Sequence, residues 1–423
     1  MAGRNTTQPS ARRGSMPDLW RTGATCASLQ RMSSELIQSA GALRARRLPL
    51  PARAATMALF FANGATFATW GVHIPTVKAR FGLSEASLSL AMFMVAAGAI
   101  AAMKFAGGWA ARVGTRRASA QAGVAFGVVT GLLMLMPSYP ALLAVLLLFG
   151  ITNAGFDVAM NAQAATVEAH HHKPIISSLH GMFSLGGMVG AAAGGVLLDL
   201  GVPAAVHCAG MGLITAGAAL CARPFMLPDH VHAPGEPAHP NTGRTLLVLG
   251  LLAFFGLVGE GAMYDWTTVY MREVAQSPEA LASAGYAAFS GGMALARFGG
   301  DAARARWGNT GVLGASGALA TGGILLALLW PDPAAVLAGF ALMGVGAANM
   351  VPIFFVTASR MPGVPAAEGI AAVARFAYVG LLIGPVFIGM IAHHSNLRWG
   401  LSLVALTMAL IAVAGPRAIR PRG

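Results

Sequence analysis

The sequence predicts an all-α polytopic membrane protein, twelve transmembrane helices in two pseudo-symmetric six-helix bundles. Three observations predict it: an apolar, charge-poor composition, twelve hydrophobic runs of spanning length, and an internal repeat at a constant offset. Of 423 residues, 56% are hydrophobic and 10% charged, with a mean hydropathy of +0.65. Soluble domains carry about a quarter charged residues. The runs lie near 54–77, 86–108, 118–136, 141–166, 175–198, 203–221, 245–270, 281–303, 311–330, 335–357, 366–392 and 400–415. Each suits a hydrocarbon core of roughly 30 Å, which takes about 20 apolar residues to cross. An even count puts both termini on one side.

Before the first run, residues 1–52 are Arg-, Ser- and Thr-rich, with Asp18 and Glu35 their only acids. They hold no apolar core long enough for a signal peptide. A disordered basic extension is expected there, and an over-called start codon accounts for it equally well. The repeat then divides the chain. Arg112 and Arg306, Gly114 and Gly308, Pro137 and Pro331, Gly150 and Gly344, Gly186 and Gly380, and Gly190 and Gly384 are each 194 apart (306 − 112 and so on). The polar, Pro/His-rich stretch between the sixth and seventh runs marks the boundary. The expected organisation is an N-terminal bundle over 53–222, a cytoplasmic linker over 223–243, a C-terminal bundle over 244–415 and a basic tail over 416–423.

Charge sets the orientation. With the N-terminus inside, cytoplasmic segments hold 21 of the 28 Lys and Arg, and the opposite loops hold only Lys78, Arg80, Arg272 and Arg398. The remaining three, Lys104, Arg297 and Arg375, fall within spans. This is the positive-inside pattern. It assigns the net charge of +13 to membrane orientation rather than to nucleic acid. Cys26, Cys208 and Cys221 have no ligand or disulfide spacing. His170, His171 and His172, being adjacent, cannot all face one ion, so no metal is expected. No Walker-type GxxxxGK[ST] occurs, so no ATP-driven step and no cofactor is implied.

The fourth span holds the most expensive residue. Asp157 lies about 24 Å along a helix starting near 141, where a lipid-facing charge costs several kcal/mol. Asn153, Asp157 and Asn161 are four apart and share a face, which is expected to line a polar cavity. A protonatable or solute-binding site is one reading and an interhelical hydrogen-bond clamp is the other. Glu260, about 22 Å into the seventh span, and Asp265 near its outer end are the next candidates. Asp265 is expected as a second proton-coupling acid or as a gate residue. Asn63, Thr66, Trp70 and His73 form a stripe on the first span. His180 and Ser184 in the fifth span, Asn349 in the tenth and Arg375 in the eleventh are further solute-binding candidates. Lys104 and Arg297, near span ends, are read as snorkelling.

Two parallel-repeat halves with a site between them near the midplane is the architecture of major facilitator transporters. Two loops resemble that superfamily. The run from Gly107 to Arg117, with Gly107, Arg112, Gly114 and Arg116, is similar to its motif between the second and third spans. Arg304 to Gly308, with Arg306 and Gly308, is the second copy. Ala111 stands where the motif usually has Asp, leaving Asp301, Glu168 or Glu368 as substitute partners for these arginines. Within the superfamily, Phe60-Phe61, Gly64, Ile74-Pro75 and Phe156-Asp157 through Asn161 resemble the fucose-permease group of proton-coupled sugar transporters.

By that resemblance Asp157 is the proton-carrying carboxylate, and His180 stands where the group has a sugar-contacting Gln. The group's first-span Asp falls on Gly71, and Asp265, 194 later (265 − 71), keeps an acid at the repeat position. The stretches from Glu260 through Tyr264 to Trp266 and from Tyr378 to Pro385 resemble an uncharacterised bacterial inner-membrane branch, which adds Tyr264 and Tyr378 to the site. The resemblance covers about residues 54–415. It implies a non-enzymatic, monomeric carrier in the inner membrane with both termini cytoplasmic. It would move a small polar, sugar-like solute with protons. Proton-antiport efflux of amphipathic compounds and a non-transporting receptor or scaffold are the alternatives.

Overall fold

The structure, a computed structural model, describes residues 50–171, 175–228, 243–361, 364 and 366–420. The expected extension up to residue 49, most of the expected linker (229–242) and residues 421–423 lie outside the described residues, as do the side chains of His171, His172 and Glu368.

The first bundle comprises α1 (Leu50–Phe81), α2 (Glu85–Val113), α3 (Thr115–Leu132, prolonged by a 3-10 turn), α4 (Tyr139–His171), α5 (Ile176–Asp199) and α6 (Ala204–Ala222). The second begins with α7 (Arg244–Glu273). The helical run Glu279–Leu329 is broken at Gly308 (φ 69°, ψ 164°) into α8 (279–307) and α9 (309–329). The tenth span, α10, is Pro333–Ala347 and Met350–Ser359, interrupted at Ala348 and Asn349. α11 (Ala366–His394) and α12 (Leu397–Ala418) close the bundle. Among the described residues, ten runs are long and apolar enough to cross a membrane. One of them is the α8–α9 pair, and α1, 32 residues long but diluted by Thr, Asn and His, makes the twelfth. α1 starts at Leu50, so residues 50–52 are helix and not extension.

Local chemistry sets the ends. The side chains of Ser84, Asp332 and Asn396 accept backbone N–H groups at the starts of α2, α10 and α12, satisfying donors that a helix N-terminus leaves unpaired. The tight α2–α3 and α8–α9 turns both need positive φ. Gly114 (φ 86°) and Gly308 (φ 69°) provide it at equivalent repeat positions, where a Cβ would be strained.

The repeat is also built into the packing. A Cβ on Gly150 of α4 would strike the Val95 carbonyl of α2. Its counterpart Gly344 of α10 meets the Phe289 carbonyl of α8 in the same way, and 289 − 95 is again 194. Gly186 of α5 rests on Phe61 of α1, as Gly380 of α11 rests on Phe254 of α7. Such backbone-to-backbone approach is how helices associate where lipid offers no hydrophobic drive. Between the bundles α5 packs on α8, α2 on α11 and α1 on α7.

At the end where α1 and α7 finish, contacts across the divide close the molecule. Lys78 Nζ bonds Glu273 Oε1 of the second bundle (2.6 Å) and Glu85 Oε1 of its own (3.1 Å). The Thr76 hydroxyl donates to Glu279 Oε1 (3.3 Å) and the Thr268 hydroxyl to the Gly71 carbonyl (2.8 Å).

Candidate functional site

A cavity of about 710 Å³ lies between the bundles. Its deep part is lined by Asn63, Phe67, Asn153, Asp157, His180, Phe183, Glu260, Tyr264, Asp265, Tyr378 and Pro385. Toward the end that carries the Gly114 and Gly308 turns, the lining reaches Ile176, Asp301 and Ile370, which are exposed. The cavity is thus open at that end and stoppered at the other by the Lys78 and Thr268 contacts.

α4 supplies Asn153 and Asp157 from one face, as their spacing requires. The Asn161 amide donates to Asp157 Oδ1 (3.1 Å) and to its carbonyl (2.9 Å), so Asn161 orients the acid from behind and is not itself a lining residue. No ion pair among the described residues involves Asp157 or Asp265.

Glu260 is different. Arg297 of α8 donates from Nη2 to Glu260 Oε1 (3.1 Å), and from Nη1 to Ser184 Oγ (2.7 Å) and the His180 carbonyl (3.3 Å) of α5. The Tyr264 hydroxyl also reaches Glu260 Oε1 (3.3 Å). The pair is only 13% and 12% exposed. Snorkelling is therefore the wrong account of Arg297, whose head group points into the bundle and ties α7, α8 and α5 together. A cue was present in the sequence, since an acid and a base buried in neighbouring spans of one bundle each need a partner.

Only Asn63 of the first-span stripe faces the cavity. Thr66 donates to the Ala62 carbonyl (2.8 Å) and pairs with Thr215 of α6, and His73 Nε2 lies 2.9 Å from His207 Nδ1 of the same helix. Trp70 is buried and off the lining. Rotation of about 100° per residue sets Thr66 and His73 on one side of Asn63 and Phe67 on the other, and the cavity face is the Asn63–Phe67 side. Ser184 sits one layer behind the lining, bonded to Arg297. Asn349 lines the wall at the break in α10 and donates to the Ala296 carbonyl (3.3 Å). Arg375 is exposed on α11 and absent from the lining.

Of the acids expected to partner the loop arginines, Asp301 does so and Glu168 turns elsewhere. Asp301 pairs with Arg304 within α8. Glu168 Oε2 accepts the N–H groups of Ile175 (2.6 Å) and Ile176 (3.0 Å), holding the start of α5. Arg112 Nε turns back to the Gly108 carbonyl (3.2 Å), and Arg306 lies over the Trp307 ring. Arg116 and Gly107 stay at this open end, with open space around the glycine. Gln163, which the sequence did not single out, ties the α2–α3 turn to α4 by accepting the Thr115 hydroxyl (2.7 Å). Gly71, where the resemblance would put a first-span acid, leaves no room for one. A Cβ there would meet the Tyr286 ring at 2.7 Å.

The family model described as Major Facilitator Superfamily matches residues 56–375. A protein of Sinorhizobium fredii described as an uncharacterized transporter is 36% identical over 378 residues, 88% of this chain and 99% of its own length. The membrane protein MosC of Rhizobium meliloti is 34% identical over 363 residues, 84% of this chain and 87% of its own. Among solved structures, the nucleoside transporter NupG superposes with a TM-score of 0.67 over 87% of this chain and 100% of its own, at 11% identity. At that identity the likeness is one of fold.

Proposed function

The chain belongs to the major facilitator superfamily, and from that premise we propose that this multi-pass membrane transporter carries a small polar solute by alternating access, as a proton symporter. Both termini are then cytoplasmic in an inner membrane, and the cavity is open to the cytoplasm. Asp157 carries the reading. It is an ionisable group on a cavity wall, turned to water and steadied by a neutral amide, with no resident cation among the described residues to fix its charge. Desolvation favours the protonated form of an acid and water the ionised form, so such a group changes charge as the access side changes. A cavity of about 710 Å³ is of the size that holds small molecules, which argues against a scaffold role. The site is built within one chain, consistent with a working monomer.

Reconstituted vesicles test it. A solute found by thermal-shift screening of sugars, polyols, organic acids and drugs should drive proton entry, read by a trapped pH dye. Asp157→Asn should abolish accumulation driven by a proton gradient, by more than tenfold, while leaving exchange at equal pH when solute is saturating. Unchanged pH dependence in that variant would remove Asp157 from the coupling role. Phe67, Met92, Met103, Phe183 and Phe355 on the lining favour a second reading, proton-antiport export of amphipathic compounds. Protection by drugs rather than by sugars in the same screen would select it.

A further inference from the structure

The transport reading leaves the charge of the cargo open, and the cavity bears on it. Three carboxylates, Asp157, Glu260 and Asp265, line its deep part beside one guanidinium. That guanidinium is engaged by Glu260, Ser184 and the His180 carbonyl. Two acids therefore remain without a resident cation among the described residues.

The neutral groups lean the same way. Asn63, 1% exposed, and Asn153 of α4 both belong to this wall, and the side-chain oxygen of each is buried with no donor. The Asn63 amide nitrogen is already spent on Met160 Sδ (3.8 Å). A buried acceptor without a donor costs about 1–3 kcal/mol, and a donating solute relieves that cost once the amide turns to the cavity. Aromatic rings complete the wall. Tyr264 sits edge-on to Phe67 at 6.1 Å and to Phe183 at 6.4 Å, and ring faces attract a cation that has shed its water.

Resting on the transport reading, we infer that the cargo is a small organic cation, a protonated amine or a guanidine. Its charge lies in the field of Asp157 on the α4 wall and Asp265 on the α7 wall, one of which stays ionised while the other holds the symported proton. Its N–H groups lie in reach of Asn63 and Asn153, and its carbon frame rests against Phe67, Phe183 and Tyr264. Sugar-like hydroxyls on that frame are compatible, whereas an anionic cargo meets two carboxylates and an occupied arginine.

The test uses purified full-length protein in detergent and two charge-matched series, read by thermal shift. One is glucosamine, glucose and glucuronate; the other is cadaverine, pentane-1,5-diol and glutarate. The amine member of at least one series should raise the unfolding midpoint where its neutral and anionic partners do not. Its apparent affinity should fall at least tenfold in Asp157→Asn and in Asp265→Asn, and stay within twofold in Asp199→Asn, at the exposed end of α5. Wild-type selectivity is decisive even where a variant fails to fold. Protection by a neutral or anionic member equal to that of its amine overturns the cation class and leaves transport standing. Protection by no member overturns the class, and the proton-flux assay then judges transport separately. Amine protection that survives both Asn variants overturns the placement of the charged head.

Discussion

The two six-helix bundles share a skeleton and differ in chemistry. Glycines 194 apart bring α4 onto α2 and α10 onto α8 at the same carbonyl position, and both bundles turn at a positive-φ glycine after their second helix. The polar residues do not follow the repeat. Asp157 answers to Val351, Glu260 to Thr66 and Arg297 to Met103 (each 194 apart). The first bundle offers Asp157 steadied by a neutral amide, while the second offers Asp265 and, beside it, Glu260 already engaged by a guanidinium. Close helix contact tolerates no change in a small residue and so preserves both copies. A cavity wall has no such steric demand, and each half has been free to specialise.

The largest effect expected from breaking this comparison lies in the shared part. Gly150→Val and Gly344→Val each drive a branched side chain into a backbone carbonyl that cannot rotate away. Neither should give monodisperse protein on size-exclusion chromatography, and one that does would show that the bundles are not equivalently packed. Next is Arg297→Met, which strands Glu260 in the bundle interior. It should cost about 3–5 kcal/mol in a denaturant or thermal titration, with most recovered by adding Glu260→Gln. By contrast Asp157→Asn, which breaks no ion pair, should change stability by less than about 1 kcal/mol.

A smaller effect comes from restoring the symmetry of the acids. Gly71→Asp should destabilise by about 1–3 kcal/mol, the range for overpacking, and Tyr286→Ala in the same chain should relieve most of it by clearing the ring. Smallest is Lys78→Met at the closed end. Its ion pairs are part-exposed, so a loss of about 0–1 kcal/mol should appear as a shift of a few degrees at most in the unfolding midpoint.

Much of the fold was legible because hydropathy, spanning length and a fixed offset are properties of single residues and their spacing. The cavity lining was legible where a residue was costly in itself, as at Asp157 and Asp265. It was lost where the outcome depended on rotation or depth. Thr66 and His73 share a helical face with Asn63, yet some 60–80° of turn takes them to α6 instead of the cavity. Arg297 looked terminal because the span was expected to end near 303, whereas α8 runs on to Gly308, leaving the guanidinium well inside. The Gln163 bridge rests on an ordinary amide whose partners lie 48 residues back and 64 ahead along the chain, and no local pattern announces it.

Lys78 and Arg297, which reach across the divide, each also hold a carboxylate of their own bundle. Lys78 grips Glu273 opposite but Glu85 at home, and Arg297 reaches Ser184 opposite but Glu260 at home. Swinging the bundles apart therefore strips neither cation of its last counterion, and only a hydrogen bond and a part-exposed ion pair are traded for water. Links wired in this way set an upper bound on the work of reopening, so the sealed and unsealed forms are held close in free energy and a modest ligand or proton gradient suffices to choose between them.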